Sequence, residues 1–333
     1  MELFMKQKPL KSARRTYEHY SHLESKNPTP YEVVTTKLLY YPNTGFAVKT
    51  PVTAWYKKFQ YMSCDEKTDW TKFSDPKGYI YTTYVQDRQK EEVFLAGICE
   101  SLEKEFTSAI PNQEWLEKLE NCYAPLVYPL HGLQMVAAYI GQMAPEGRIS
   151  ICSAFQAADE MRKIERIALH TAQIKGLHPS FGANRQTVWE EKALWQPLRE
   201  SVEKLLVTND WVEALVGLNL CIKPLMSSLF LESIGAMAIK HANPLLDIVM
   251  KSFFKDEQWH WDWASALIQY VMAHSDDGGS RIRELQAKWQ EKTLNIVKCC
   301  ASDMGRAELD IERNLRTLWK AFAQVEERVK VAA

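Results

Sequence analysis

The sequence has 333 residues, 46% hydrophobic and 25% charged, with 13 glycines, enough for one large or two ordinary domains around a sizeable core. A formal net charge of −1 and a pI near 6.7 give no bulk attraction to nucleic acid or to an anionic membrane surface. The basic start MELFMKQKPLKSARR is not followed by an apolar segment that would make a signal peptide, and no uninterrupted apolar run approaches the roughly 20 residues of a membrane span.

The first 86 residues read as an extended arm. From Tyr31 to Tyr84, 54 residues carry 13 aromatics, in short segments broken by proline and turn residues. Tyr31–Tyr41 has the composition of a strand; the rest shows no sustained period. An arm this aromatic needs a surface to lie on, either its own helical body or a partner chain. Trp55, Tyr56, Trp70, Phe73, Tyr81 and Tyr84 are the candidate interface residues.

Residues 87–330 read as helix after helix, over 87–107, 112–143, 149–174, 185–207, 210–240, 244–274, 280–302 and 304–327. Asp210 with Glu213 fits a capping box, Asn243-Pro244 an N-cap before a first-turn proline, and Asp276-Asp277-Gly278-Gly279 a break. Pro125 and Pro129 should interrupt the second helix and Pro224 should kink the fifth. The fold class is an all-α bundle with an N-terminal arm. Seven cysteines (Cys64, Cys99, Cys122, Cys152, Cys221, Cys299 and Cys300) include no CxxC. They point to reduced thiols in a cytoplasmic protein.

One motif carries possible chemistry. Glu257 and His260, in KDEQWHWDW, have the Glu-x-x-His spacing that puts a carboxylate and an imidazole on one helical face. A di-iron bundle uses two such motifs and a glutamate from each of two further helices. Here the pair at 257 and 260 is the only Glu-x-x-His in the chain. The best counterpart is Glu160, but three residues on stands Lys163, whose ammonium is no ligand and, if buried, would form an internal salt bridge, with Glu160 as its partner.

The supporting glutamates are absent as well. The helix over 112–143 carries Leu130, His131, Gln134 and Met135 in its middle, and the helix over 210–240 carries Leu218, Cys221, Lys223 and Leu225, with Glu213 and Glu232 only near its ends. Glu160, Glu257 and His260 are therefore vestigial metal candidates, and no catalytic or cofactor-binding residue is expected. The competing reading is a working ligand set in a stand-alone metalloprotein; a third is an all-α interaction scaffold with no chemistry of its own. His19 and His22 sit in the polar arm, and His170 and His178 bracket a helix end. The alternating Trp259, Trp261 and Trp263 cannot share one helical face, so one indole, with Trp261 the interface candidate, should meet either the arm or a partner.

The order of short stretches along the chain carries a resemblance. These are Lys8-Pro9-Leu10-Lys11, Tyr31-Glu32-Val33-Val34, Trp55-Tyr56-Lys57-Lys58, Asp69-Trp70 with Phe73 and Asp75-Pro76, and Tyr81-x-x-Tyr84. Further on come Trp211 with Glu213-Ala214, Asn219-Leu220, Lys223-Pro224, and Lys255-Asp256 with Trp263-x-Ser265-Ala266-Leu267. With them the sequence resembles the β subunit of bacterial multicomponent (soluble di-iron) monooxygenase hydroxylases, in the toluene and alkene monooxygenase branch. The resemblance implies a ferritin-like, ribonucleotide reductase small-subunit-like bundle without irons of its own. It implies α and γ subunits in an (αβγ)2 assembly, with the di-iron centre in α. It also implies an effector protein, a Rieske ferredoxin and an NADH reductase, and a reaction that inserts one oxygen atom into a hydrocarbon.

Overall fold

A continuous apolar helix at the centre of the molecule, α8 (Trp211–Lys240), organises the rest. By length and composition it could span a membrane, but its apolar window is wholly buried among other helices, as a helix that is hydrophobic all round must be. The structure, a computed structural model, describes residues 51–106 and 113–332. In chain order the other helices are α1 (Pro51–Phe59), α2 (Tyr81–Phe106), α3 (Gln113–Lys118), α4 (Val127–Met143), α5 (Gly147–Leu177), α6 (Arg185–Glu191) and α7 (Gln196–Leu206), then α9 (Pro244–His274), α10 (Gly278–Cys300) and α11 (Glu308–Ala332). No strand occurs among the described residues, so the all-α expectation holds.

Helices α4 and α5 pack along each other, and α8 packs against α9 on one side and α10 on another. The expected helix-start residues operate, although Glu213 accepts from Lys288 and Trp289 rather than closing a capping box on Asp210. Asp210 accepts from the Val212 N–H at 3.0 Å and Asn243 from the Leu246 N–H at 3.1 Å, each satisfying a free donor at a helix start. The break at 276–279 places Asp277 at φ 54°, and a Cβ on the following Gly278 would lie 2.6 Å from the Val271 carbonyl, so only glycine fits there.

The prolines act as expected in two of three cases. Pro224 cannot donate to the ladder, and the chain on either side of it widens into π-helix, at Val216–Ile222 and Met226–Leu231. Pro125 lies in a 3-10 turn, Ala124–Leu126, which follows a π-helical turn at Leu119–Tyr123. Pro129 causes no break because it falls in the first turn of α4, where its missing N–H costs nothing. The helix expected over 185–207 is instead two, α6 and α7. Pro197, in the first turn of α7, restarts the helix after a break at 192–195.

The described part of the arm corrects the expected irregularity rather than the expected surface: it includes helix α1, and the next helix starts at Tyr81 rather than 87. Residues 51–80 lie on the chain's own bundle. Trp211 Nε1 donates to the Gln60 carbonyl at 2.7 Å, Thr68 Oγ1 to the His274 carbonyl at 2.9 Å, and Arg148 to the Phe73 carbonyl at 2.7 Å. Trp70, Phe73 and Tyr84 are buried in the core, which removes them from the partner-facing set. Trp55 and Tyr81 remain exposed, at 42% and 71%, while Tyr56 and Trp261 are half-buried. The strand expected at Tyr31–Tyr41, the histidines His19 and His22 and the stretch Lys8–Lys11 lie outside the described residues.

Candidate metal centre

Helical spacing brings the chemistry together. On α5, Asp159, Glu160 and Lys163 share one inward face, and on α9 so do Asp256, Glu257 and His260. Lys223 enters from α8, beside the widening at Pro224. The side chains of Glu160, Lys163 and His260 are fully buried, and Lys223 and Glu257 nearly so.

The two ammonium groups alternate with the two glutamates. Lys163 Nζ contacts Glu257 Oε1 and lies 3.3 Å from Glu160 Oε2. Lys223 Nζ contacts Glu160 Oε1 and lies 2.8 Å from Glu257 Oε2. Each carboxylate thus touches both cations and each cation touches both carboxylates. Burial alone would raise the Glu160 carboxyl, but Lys163 and Lys223 overcome it and hold Glu160 down at about 2. Burial alone would lower Lys163, and Glu160 and Glu257 reverse this so that it stays charged.

His260 joins this ring to a second layer. Its Nε2 stands 3.0 Å from Asp159 Oδ2, whose other oxygen accepts from the Tyr84 hydroxyl at 2.8 Å. Burial, with Lys223 and Lys163 adding to it, pushes the imidazole well below its ordinary value, so the ring is neutral. With Nε2–H donated to a carboxylate, Nδ1 carries the lone pair. That atom is buried without a hydrogen-bond partner, 3.8 Å from Glu160 Oε1. Behind Asp159, the Asp256 carboxylate is held by Arg88 and Arg162. Burial and then the neighbouring Asp159 raise it to about 6, against both arginines. Arg88 also binds Glu91 at 3.0 Å, and Arg162 binds Glu92 at 2.8 Å.

The sequence candidates Glu160, Glu257 and His260 therefore do converge, with one ligand atom of each lying within 4.8 Å of the others. The residues around them do not fit a di-iron centre. Such a centre needs six ligands, and the space between the carboxylates holds two ammonium nitrogens, which have no lone pair to offer. The buried face of α4 is apolar, with Leu130, Leu133, Val136, Ala137 and Ile140. Glu213 and Glu232 are engaged elsewhere, with Lys288 at 2.6 Å and Arg306 at 3.4 Å.

Sequence reasoning anticipated the Lys163–Glu160 pair but missed Lys223, Asp159, Asp256, Arg88 and Arg162, and it placed Tyr84 at an interface. A signal for several of them exists: Asp-Glu-x-x-Lys at 159–163 and Asp-Glu-x-x-His at 256–260 are the same pattern on two helices. Of the three tryptophans, Trp263 donates to Gln156 Oε1 at 3.1 Å, and the arm's Tyr79 meets Trp259 edge-on at 5.3 Å. His170 is half-buried, 3.1 Å from the Tyr123 hydroxyl, and the loss of solvent around its ring lowers it to about 4.

Comparison with known proteins places this geometry. The profile of the family described as methane/phenol/alkene hydroxylase matches residues 55–275. The β subunit of the hydroxylase component of the toluene-4-monooxygenase system of Ectopseudomonas mendocina is 30% identical over 274 residues, covering 80% of this chain and 84% of that one. The oxygenase component DmpL of a phenol 2-monooxygenase from Pseudomonas sp. (strain CF600) is 24% identical, covering 74% and 75%. A solved structure of toluene 4-monooxygenase with toluene in its resting active site contains a chain that superposes with a TM-score of 0.80 at 28% identity, covering 89% of this chain and 99% of that one. The chain belongs to the methane/phenol/alkene hydroxylase family, as a hydroxylase subunit of a bacterial multicomponent monooxygenase.

Proposed function

We propose that this chain is the non-catalytic, structural β subunit of its hydroxylase, and that the di-iron centre resides in a partner α subunit. The observation that carries this is the position of Lys163 and Lys223 between Glu160 and Glu257. Two fixed cations at that point leave the bundle with neither the ligands nor the open space for oxygen chemistry. What the chain supplies instead is a rigid, charge-balanced helical body.

The assembly we infer is (αβγ)2 in the cytoplasm, served by an effector protein, a Rieske ferredoxin and an NADH reductase. The reaction as a whole would place one oxygen atom of O2 in a hydrocarbon, by aromatic hydroxylation or alkene epoxidation, and the other in water. Toluene, phenol and propane are named for relatives, which supports a small aromatic or aliphatic hydrocarbon or a phenol as the substrate class. The exposed Trp55 and Tyr81, with half-buried Tyr56 and Trp261, are the expected interface aromatics that stay accessible to a partner, and Phe94 and Phe254 are exposed as well.

The test is an affinity purification of the tagged chain from its host, with iron quantified against each polypeptide. A larger chain with two Glu-x-x-His motifs, recovered in equal amount with about two irons per pair, supports the reading. Recovery of this chain alone, carrying iron that is lost in the His260→Ala variant, overturns it.

A further inference from the structure

We propose that Lys163 and Lys223 are built-in cations that exclude divalent metal from this subunit, and that the groups they cover, Glu160, Glu257 and His260, form a latent site for one first-row divalent ion. The inference rests on the subunit reading only for its biological purpose; its chemistry stands on this chain's own residues.

Three observations carry it. The first is charge. Glu160 and Glu257 present two negative charges to the ring, and two ammonium groups neutralise them. One divalent ion would do the same, so the lysines replace a metal charge for charge. The second is His260. Its Nδ1 is fully buried, has no hydrogen-bond partner and lies near Glu160, while Nε2 is fixed by Asp159 at 3.0 Å. A histidine whose far nitrogen is held by a carboxylate is oriented as a metal ligand is. For a core histidine with no ligand to meet, a partner for that lone pair would be the cheaper arrangement.

The third is reach. Donor atoms at about 2.0–2.2 Å from one ion are separated by up to about 4 Å. The three groups already lie within 4.8 Å, so small side-chain rotations would close the set. Two carboxylates and one imidazole suit iron, manganese, cobalt or zinc in the divalent state. What stops them is the pair of ammonium groups, which occupies the space and repels the ion. Exclusion of this kind would leave a hydroxylase's iron to the subunit equipped to use it.

The experiment uses the full-length chain with Lys163→Ala and Lys223→Ala together, stripped with chelator, equilibrated with Co2+ and desalted. The expected result is about one Co2+ retained per chain, at least tenfold above wild type. A visible d–d band should accompany it, and adding His260→Ala should abolish both. A double variant that keeps its helical circular dichroism yet retains no more cobalt than wild type overturns the proposal. So does a wild-type chain that binds Co2+ stoichiometrically in a His260-dependent way.

If the double variant does not fold, the single Lys223→Ala variant carries the test, because Lys163 still neutralises part of the ring. Co2+ should raise the melting temperature of that variant and leave wild type unmoved; a folded variant with no shift overturns the idea. These outcomes are separate from the partner's iron count, so the subunit reading survives or fails independently.

Discussion

Lys223 of α8 holds its ammonium 2.8 Å from Oε2 of Glu257 on α9, and the same ammonium contacts Glu160 on α5. One side chain thereby joins three helices of the bundle through buried charge. Such pairs add little net stability over an apolar filling, but removing one partner strands the other. Lys223→Met should therefore cost about 3–5 kcal/mol, measured by urea unfolding. Adding Glu257→Gln to it leaves Lys163 paired with Glu160, and should recover more than half of that loss. Equal stability of the single and double variants would show that the ring does not act as a charge-balanced unit.

The neutrality of His260 makes a pH prediction. Its folded value lies well below its ordinary 6.5 because burial and the two ammonium groups disfavour the imidazolium. The unfolded chain takes up a proton below about 6.5 that the folded chain refuses, so this contribution is present above that pH and is lost as pH falls. The contribution should shrink by about 1.4 kcal/mol per pH unit once below that value. Asp256, raised to about 6, acts with the opposite sign in the neighbouring range, so the wild-type profile alone is not the readout. The informative quantity is the stability of wild type minus that of His260→Gln, at pH 7.5 and 5.5. It should fall by about 1.4 kcal/mol over that interval. A constant difference would mean that His260 titrates alike in both states.

What the sequence discloses here depends on the range of the interaction. Local chemistry is legible: Asp210 and Asn243 cap the helices they were expected to start, and Pro224 perturbs α8. Glu160, Glu257 and His260 meet because i, i+3 spacing fixes them on inward faces before tertiary structure is known. Lys223 is different. On an apolar helix a single lysine reads as a defect, and only the juxtaposition of α5, α8 and α9 turns it into the second cation of a ring. Tyr84 was misplaced for a related reason. The aromatic segments up to Tyr84 show no helical period by which to extend α2 back to Tyr81, so the inward position of Tyr84 and its hydroxyl contact with Asp159 could not be foreseen.

Gly217 lies where α8 packs against Trp289 of α10 and Leu205 of α7. A Cβ there would stand 2.8 Å from the indole of Trp289 and from Cδ2 of Leu205. Trp289 is fully buried, and its Nε1 is held by Glu213 at 3.1 Å, so the ring has little freedom to retreat. Gly217→Ala would otherwise favour the helix, since alanine is the better helix former by about 1 kcal/mol. Overpacking should win here, with a net loss of about 1–3 kcal/mol by denaturant titration. A stabilised variant would mean that Trp289 can move and that the α8–α10 contact is looser than its geometry.

Trp55 and Trp70 both belong to the aromatic arm, yet the structure separates their roles. Trp70 is 6% exposed and meets Trp211 edge-on at 6.0 Å, so Trp70→Ala should remove about 3–5 kcal/mol from the chain's own stability. Trp55 is 42% exposed, with one flank on Phe59 at 4.5 Å and its Nε1 on the Tyr139 hydroxyl at 3.2 Å. Trp55→Ala should cost the isolated fold no more than about 1 kcal/mol. Its effect should fall on assembly, where loss of an exposed tryptophan anchor is worth on the order of 2–4 kcal/mol. The check is a pair of measurements on each variant: unfolding of the chain, and recovery of partner subunits at matched expression. Trp70→Ala should lower both, because a weakened fold assembles poorly, whereas Trp55→Ala should lower recovery alone. If Trp55→Ala leaves recovery at the wild-type level, that face of the arm does not meet a partner, and Tyr81 becomes the aromatic group to test next.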